Sequence, residues 1–194
     1  MIVSGSKSSK IESFNKFKCG LKRNKIKKES DSHKTSLNID DLLKIKSSFS
    51  LYDQIKPYIT FQDYNDCGSQ ATIHHISQID KIDYKLSILY QYYNARYIGL
   101  QKMCMDEKYI CDEGSSLEEN LQSIVLYKYI KDQYHNYEFH VNQRPHEITY
   151  NIAMANIIKH EGYSYLDFNC TQFKYLISVK QRSVVFGAKI ILRT

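Results

Sequence analysis

Positive charge is concentrated at the start of this chain of 194 residues. The first 50 residues contain 12 basic and 5 acidic side chains, whereas the remainder contains 15 basic and 16 acidic ones. The basic segment is rich in Ser, Lys and Asn, and it cannot bury enough apolar surface to offset the entropy lost on folding. We therefore expect a basic, mostly disordered arm over residues 1–48 and a folded body over residues 49–194.

The composition excludes several classes of protein. Hydrophobic residues make up 42% of the chain, which is enough for a packed core. No run of 18 uncharged apolar residues occurs, so no membrane span or membrane partner is expected. The first residues lack a secretory signal, which predicts an intracellular protein of the cytoplasm or nucleus. Five cysteines without paired spacing predict neither a disulfide scaffold nor a metal site, and no cofactor is expected.

The arm contains a run of basic residues that has two interpretations. It is either a solubilising tail or a contact for nuclear import or nucleic acid, since Lys and Arg bind phosphates without reading sequence. Only Phe14 and Phe17 are aromatic within residues 1–40, which disfavours base stacking and predicts at most a weak nucleic-acid contact. The candidate phosphate contacts are Lys22, Arg23, Lys25, Lys27 and Lys28.

Apolar periodicity in the body predicts a mainly helical fold. A first short helix follows Asn38, and longer helices begin at Gln70, after Asp83 as a cap, and at Ser116, where Glu119 completes a capping-box spacing. The inward positions predicted for the Ser116 helix are Leu117, Leu121, Ile124, Val125 and Tyr129. The tyrosines that share a helical stripe with Leu86 and Leu89 are interpreted as core residues: Tyr90, Tyr92, Tyr93 and Tyr97.

The end of the body predicts two more helices and one strand. Pro145 precedes a helix over 147–160 that Gly162 is expected to stop, and a short helix follows over 171–179. Residues 183–192 are rich in Val, Ile and Phe and are predicted to form a late β-strand. The fold class is therefore α+β and mainly α.

A cysteine lies directly before the helix predicted from Gln70, within the segment 63–72. A helix N-terminus lowers the pKa of a nearby thiol, and the thiolate is the reactive form. The order of residues here resembles the nucleophile loop of the papain-like cysteine peptidases, with Gly68 and Ser69 at matching places. Cys67 falls where many members of that family have a disulfide cysteine.

The resemblance continues along the body in the order that the viral and prokaryote-like branch of the family shows. It implies the helical lobe of the papain-like fold, followed by the first strand of a β-rich lobe. The matching segments are Asp53 with Pro57, residues 86–96 (LSILYQYYNAR), residues 112–117 (DEGSSL), Pro145 with Tyr150 and Ala153, and residues 183–187 (SVVFG).

The family pattern breaks at the positions that carry catalysis. Gln70 occupies the place of the nucleophile, and an amide is neither acidic nor nucleophilic. Tyr64 occupies the place of the oxyanion-stabilising Gln, and Ala71 that of a bulky Trp. The resemblance places the catalytic His and its orienting Asn beyond the SVVFG strand, but the sequence ends at Thr194, so we expect the β lobe to be absent and the protein to be catalytically inactive.

Three functions remain open from the sequence. The first is an inactive homologue that binds a protein or peptide, or associates with itself, through the face that a β lobe normally covers. The second is an active thiol hydrolase that uses Cys67 with a histidine in cis or from a partner chain. The third is a nucleic-acid accessory protein acting through the arm. The candidate bases are His74, His75, His135, His140, His146 and His160. The residue bias and the motifs suggest a protein of a virus-infected cell.

Overall fold

A computed structural model of the protein describes residues 37–50, 61–156 and 169–187, together with the backbone of residues 21–22. This part of the chain is mainly helical, in agreement with the α+β, mainly α class expected from the sequence. Its helices are α1 Ile39–Leu43, α2 Cys67–Ile79, α3 Ile88–Lys102, α4 Leu117–Tyr127, α5 Glu147–Ala155 and α6 Cys170–Ser178. Its strands are β1 Leu21–Lys22 and β2 Ser115–Ser116, and short 3-10 helices occur at Glu107–Tyr109 and Asp132–Tyr134.

The core is built around α3, which packs against α2 and α4 and is buried over most of its length. Its tyrosines are core residues, as the sequence predicts: Tyr90, Tyr92 and Tyr93 are buried. A buried hydroxyl needs a hydrogen-bond partner. The three hydroxyls donate to the Tyr127 carbonyl at 2.9 Å, to Asp112 Oδ1 at 2.6 Å and to Glu107 Oε1.

The start of α3 differs from the prediction. Ser87, and not Asp83, is the cap, because its hydroxyl accepts the backbone N–H of Tyr90 at 3.0 Å. Immediately before it, Leu86 forms an antiparallel bridge with Lys131, which keeps the chain extended up to the helix. The boundary therefore lies four residues later than expected, since a tertiary pairing outweighs a local capping preference.

Helix α4 begins where the sequence predicts, but most of the side chains that it buries are polar and not the apolar ones predicted. Ser116 and Glu119 form the complete capping box, with bonds of 3.1 Å and 2.7 Å to each other's backbone N–H. Of the apolar positions predicted to face inward on the helix, Ile124 is buried, whereas Leu121 and Val125 are only half-buried. The other buried side chains of α4 are polar: Glu118, Asn120 and Ser123.

The later elements follow the prediction in part. Helix α5 ends at Ala155 and not at His160, because the backbone of Asn156 is extended. The remaining positions 157–160 and the expected stop at Gly162 lie outside the described residues. Helix α6 matches the predicted short helix within one residue. The late strand is wrong for residues 183–187, which have no regular secondary structure, and its remaining positions lie outside the described residues.

Residues 21 and 22, within the basic arm, contact the folded body. Leu21 and Lys22 form a parallel two-residue pairing with Ser115 and Ser116. At these two positions the chain is thus paired, whereas the sequence predicts disorder. Of the five candidate phosphate contacts, only the backbone of Lys22 is described, and Arg23, Lys25, Lys27 and Lys28 lie outside the described residues.

Helix α1 is anchored as its sequence predicts. Asn38 Oδ1 accepts the backbone N–H of Asp41 at 2.8 Å and so caps the helix. The Tyr175 hydroxyl donates to Asp41 Oδ1 at 2.9 Å, which fixes α1 against α6.

Candidate functional site

The segment that resembles a nucleophile loop lies at the N-terminal end of α2. The helix begins at Cys67, three residues earlier than predicted, so Cys67, Gly68 and Ser69 belong to its first turn. Gln70, the residue at the nucleophile position, donates from Nε2 to Asp66 Oδ1 at 2.9 Å. A longer contact of 3.4 Å joins the same atom to the Phe61 carbonyl. By the resemblance, the position of the nucleophile would therefore hold an amide that is bonded to Asp66.

Asp66 is the centre of this arrangement. Its side chain is fully buried, and its second oxygen, Oδ2, accepts the hydroxyl proton of Tyr137. Burial raises the pKa of Asp66 above its ordinary value, while the bonds from Tyr137 and Gln70 act in the opposite direction. The two donors stabilise a carboxyl group that the interior would otherwise keep protonated.

Tyr64, which the resemblance places at the position of the oxyanion donor, packs against neighbouring side chains. Its ring stacks on Tyr137 with 5.8 Å between the ring centroids and an interplanar angle of 14°. It also packs against the buried cluster of Leu89, Tyr92 and Val141. Oxyanion stabilisation requires a donor aimed at the reacting atom. The Tyr64 ring instead supports the residue that bonds Asp66.

Replacing Tyr137 with phenylalanine tests this arrangement. We expect the free energy of unfolding at pH 7 to fall by about 1–3 kcal/mol, because a buried carboxylate loses one of its two side-chain donors. Since the folded pKa of Asp66 is raised, its ionisation costs stability as the pH rises above about 3.8. The variant should therefore be closest to wild type in acid, where the carboxyl is protonated in both. Urea unfolding at several pH values measures the difference.

The matched control for that variant is Tyr134→Phe. Tyr134 is exposed, and its hydroxyl has no hydrogen-bond partner in the described part of the chain. Its replacement should leave the unfolding free energy within about 0.5 kcal/mol of wild type. Equal losses for Tyr134→Phe and Tyr137→Phe would contradict the role assigned to the Asp66 bond.

Cys67 is a poor candidate for a nucleophile in this structure. Its thiol is half-buried and forms no disulfide with any described cysteine. Burial, with the neighbouring Asp66, raises the pKa of Cys67 despite an opposing backbone bond at Gly68. Within the described ranges, no histidine ring forms a hydrogen bond with this sulfur. The features that activate a catalytic thiol are reversed here.

Gly68 and Ser69, the two positions that match the family pattern, are buried inside the helix packing. Ser69 donates its hydroxyl proton to Asn120 Oδ1, and Asn120 Nδ2 donates to Ser115 Oγ and to the Ser116 carbonyl, both at 2.8 Å. This network joins α2 to α4. Its members are all satisfied, so it stabilises one relative placement of the two helices.

Asp112 holds the irregular segment before α2 in place. Its Oδ1 accepts the Asn65 backbone N–H at 3.0 Å, and its carbonyl accepts Asn65 Nδ2 at 2.7 Å.

The sequence indicates one of these site residues but not another. Asp112 belongs to a segment that resembles the family, whereas Tyr137 lies in a loop where no sequence pattern indicates a role. The pairing of Tyr137 with Asp66 spans 71 positions in sequence, and only the tertiary fold brings it about.

The candidate general bases are scattered over the described structure. His74 and His75 lie on α2, and burial lowers the pKa of His74. His140 and His146 are exposed, and His160 lies outside the described residues. His135 is buried, and neither of its ring nitrogens has a hydrogen-bond partner among the residues that the structure describes. The structure thus brings none of the described histidines to the thiol.

The other face of α2 borders a pocket of about 310 Å³. Its opposite wall is the irregular segment 183–186, and His75 Nδ1 is hydrogen-bonded to Ser183 Oγ across it. Ala71, the residue after Gln70, lines this pocket, whereas Gln70 does not. The lining residues are Ala71, His74, His75, Gln78, Ser183, Val184, Val185 and Phe186.

Across residues 37–50, 61–156 and 169–187, no cluster of three or more His, Cys, Asp or Glu side chains is arranged to hold a metal ion. None of the helices described has the length and apolar character needed to cross a bilayer. Cys104 and Cys170 are free, exposed thiols, and Cys111 is also exposed.

Comparison with known proteins identifies the fold. No family model and no curated protein matches the sequence. The structure is similar to that of xylellain, a cysteine protease from Xylella fastidiosa, with a TM-score of 0.59 and 14% sequence identity. The match covers 84% of this chain and 64% of that one. The chain therefore shares a papain-like fold over less than two thirds of the length of its structural neighbour.

Proposed function

We propose that this protein is a catalytically inactive homologue of papain-like cysteine peptidases, containing the helical lobe of that fold, and that it acts as a protein- or peptide-binding module. The observation that supports this most directly is the tether of Gln70. By the resemblance, Gln70 takes the place of the nucleophile, and its amide, which is bonded to Asp66 at 2.9 Å, forms no covalent intermediate.

The surroundings of Gln70 agree with a binding role. The Tyr64 ring is stacked on Tyr137, and the raised pKa of Cys67 keeps its thiol protonated. Large apolar side chains nevertheless remain at the surface near α2. Phe61, whose carbonyl approaches Gln70, is 87% exposed, and Phe186 at the pocket is 71% exposed. Exposed aromatic side chains beside a pocket are typical of interaction surfaces.

A mechanism-based thiol probe tests the absence of catalysis. A biotinylated peptidyl acyloxymethyl ketone is incubated with the full-length protein at pH 7, and labelling is read by blotting and mass spectrometry. We expect labelling no greater than that of the heat-unfolded chain, because no described base deprotonates Cys67. Cys104→Ala is the control for reaction at an exposed thiol. Stoichiometric labelling that disappears in Cys67→Ala and persists in Cys104→Ala would overturn the proposal in favour of an active thiol hydrolase.

A further inference from the structure

The segment 183–187 is held against α2 by a few contacts. The bond between Ser183 and His75 attaches its start to the helix, and the pocket separates the rest of it from Ala71 and His74. The segment runs without a turn or bend. Val184 and Val185 are half-buried, whereas Phe186 projects into solvent.

The backbone of this segment is unpaired. Among the described residues, no backbone hydrogen bond is made by positions 184–187. A straight run of free N–H and C=O groups at a surface is a template for an added strand. Val and Phe also favour strand geometry, as the sequence predicts for this segment, so an added strand would supply the partner that the segment lacks.

The pocket suits one apolar side chain. Its volume of about 310 Å³ lies at the lower end of the range for ligand sites. Ala71, Val184 and Val185 supply apolar surface, and the lowered pKa of His74 leaves that ring neutral at pH 7. A charged side chain would lose its hydration here without gaining an opposite charge.

Positive charge directly precedes the segment in sequence. Lys180 and Arg182 are exposed; the Lys180 ammonium lies 5.6 Å from the centroid of the Tyr175 ring, and Arg182 forms no ion pair with any residue described. Residues 180–187 contain no carboxylate, and neither does the α2 wall of the pocket. A second copy of this chain would bring two further cations to the edge, whereas an acidic partner would bring complementary charge.

We propose that this edge binds an extended acidic peptide by strand addition along positions 184–186, with an apolar side chain in the pocket and a carboxylate beside Arg182. This inference rests on the proposed binding function and specifies its ligand. Gln70 does not line the pocket, whose α2 wall consists of Ala71, His74, His75 and Gln78.

Fluorescence anisotropy with a synthetic peptide tests the inference. The probe is fluorescein-labelled Thr-Val-Phe-Val-Asp-Glu, titrated with the full-length protein in 50 mM salt. The comparison peptides replace Asp-Glu by Lys-Lys, or methylate alternate backbone nitrogens to remove the ladder hydrogen bonds. We expect saturable binding of the acidic peptide and at least tenfold weaker binding of both comparison peptides. Equal binding of all three peptides, or none, would overturn the inference.

Variants of the protein locate the site. Ala71→Trp fills the pocket, and Arg182→Glu reverses the charge directly before the segment; each should weaken binding at least tenfold. Leu126→Ser and Lys174→Glu alter exposed residues elsewhere and should leave affinity within twofold. Circular dichroism and urea unfolding verify that each variant is folded. Equal effects of the two pairs would contradict the assignment.

The same experiments distinguish peptide binding at this edge from the absence of catalysis. Failure of the acidic peptide, together with a dimer in light scattering that Phe186→Ser dissociates, would assign the edge to a second copy and overturn the peptide proposal. The inactive-homologue proposal would survive that result. Labelling dependent on Cys67 would overturn the inactive homologue whatever the peptide does.

Discussion

Replacing Arg96 with methionine is expected to lower the free energy of unfolding by about 3–5 kcal/mol, the largest single effect predicted for this protein. Arg96 is buried on α3, and its guanidinium Nη1 donates to the Cys111 carbonyl at 2.8 Å and to Asn142 Oδ1 at 2.7 Å. Nη2 donates to the Val141 carbonyl. The variant removes the donor of all three bonds, of which the one to Val141 is buried and the other two are partly buried.

The Arg96 bonds join two separate loops to one helix. The guanidinium carbon also lies 3.9 Å from the centroid of the Tyr92 ring, a cation–π contact that methionine only partly replaces. Since Tyr92 bonds Asp112, and Asp112 holds the segment before α2, the variant should also loosen the candidate site. Urea unfolding at pH 7 gives the loss, and hydrogen exchange of the Asn65 amide reports the loosening.

The control for Arg96→Met is the same replacement of an arginine at the surface. Arg144 pairs with Glu107 at 3.1 Å, but its side chain is 68% exposed. Exposed ion pairs contribute at most about 1 kcal/mol, so Arg144→Met should change the unfolding free energy by no more than that. Comparable losses for Arg96→Met and Arg144→Met would refute the importance of the buried bonds.

Acidification is expected to destabilise the protein through His135 by about 3 kcal/mol between pH 7 and pH 4. Burial, with the nearby His146, lowers the pKa of His135 from 6.5 to about 4. Between these values the unfolded chain binds a proton that the folded chain does not. The stability from this group is therefore fully present above pH 6.5 and is lost as the pH falls toward 4.

The variant His135→Phe separates this effect from other titrations. Its ring preserves the stacking on Phe139, where the two ring centroids are 4.8 Å apart, and it removes the two unpartnered nitrogens. Wild type should lose about 3 kcal/mol more than the variant between pH 7 and pH 4, whereas contributions such as that of Asp66 are common to both and cancel. His140→Gln, at an exposed position, should follow wild type. Parallel pH profiles for wild type and His135→Phe would show that His135 does not titrate as expected.

Several features of the fold could be predicted because they depend on a few neighbouring residues. The capping box of Ser116 with Glu119 and the cap at Asn38 are each complete within four positions. The burial of the α3 tyrosines follows from helical spacing beside Leu86 and Leu89. The cap of α3 was predicted at Asp83 and lies at Ser87, because the bridge of Leu86 to Lys131 is a contact between distant residues.

For the candidate site, the sequence predicts the chemical type of each side chain but not its partners. The resemblance predicts Gln70 at the nucleophile position, where an amide would exclude covalent catalysis without any coordinates. The partners of Gln70 and Asp66 could not be predicted, since Tyr137 approaches across 71 positions through a loop without periodicity. The polar inward face of α4 was also missed, because Asn120 and Ser123 are core residues only where Ser69 and Gln91 supply partners.

The sequence by itself determined the helical character of the body and the amide side chain at position 70, because propensity, caps and side-chain chemistry act at one residue or within one turn. Only the tertiary structure decided which groups surround that amide. It paired Asp66 with Gln70 and Tyr137, and it half-buried Cys67 so that the pKa of its thiol rises. Among the described residues, it left the backbone of positions 184–187 without a partner beside α2. Each of these outcomes depends on which distant groups meet and on how much water they exclude, and local sequence specifies neither.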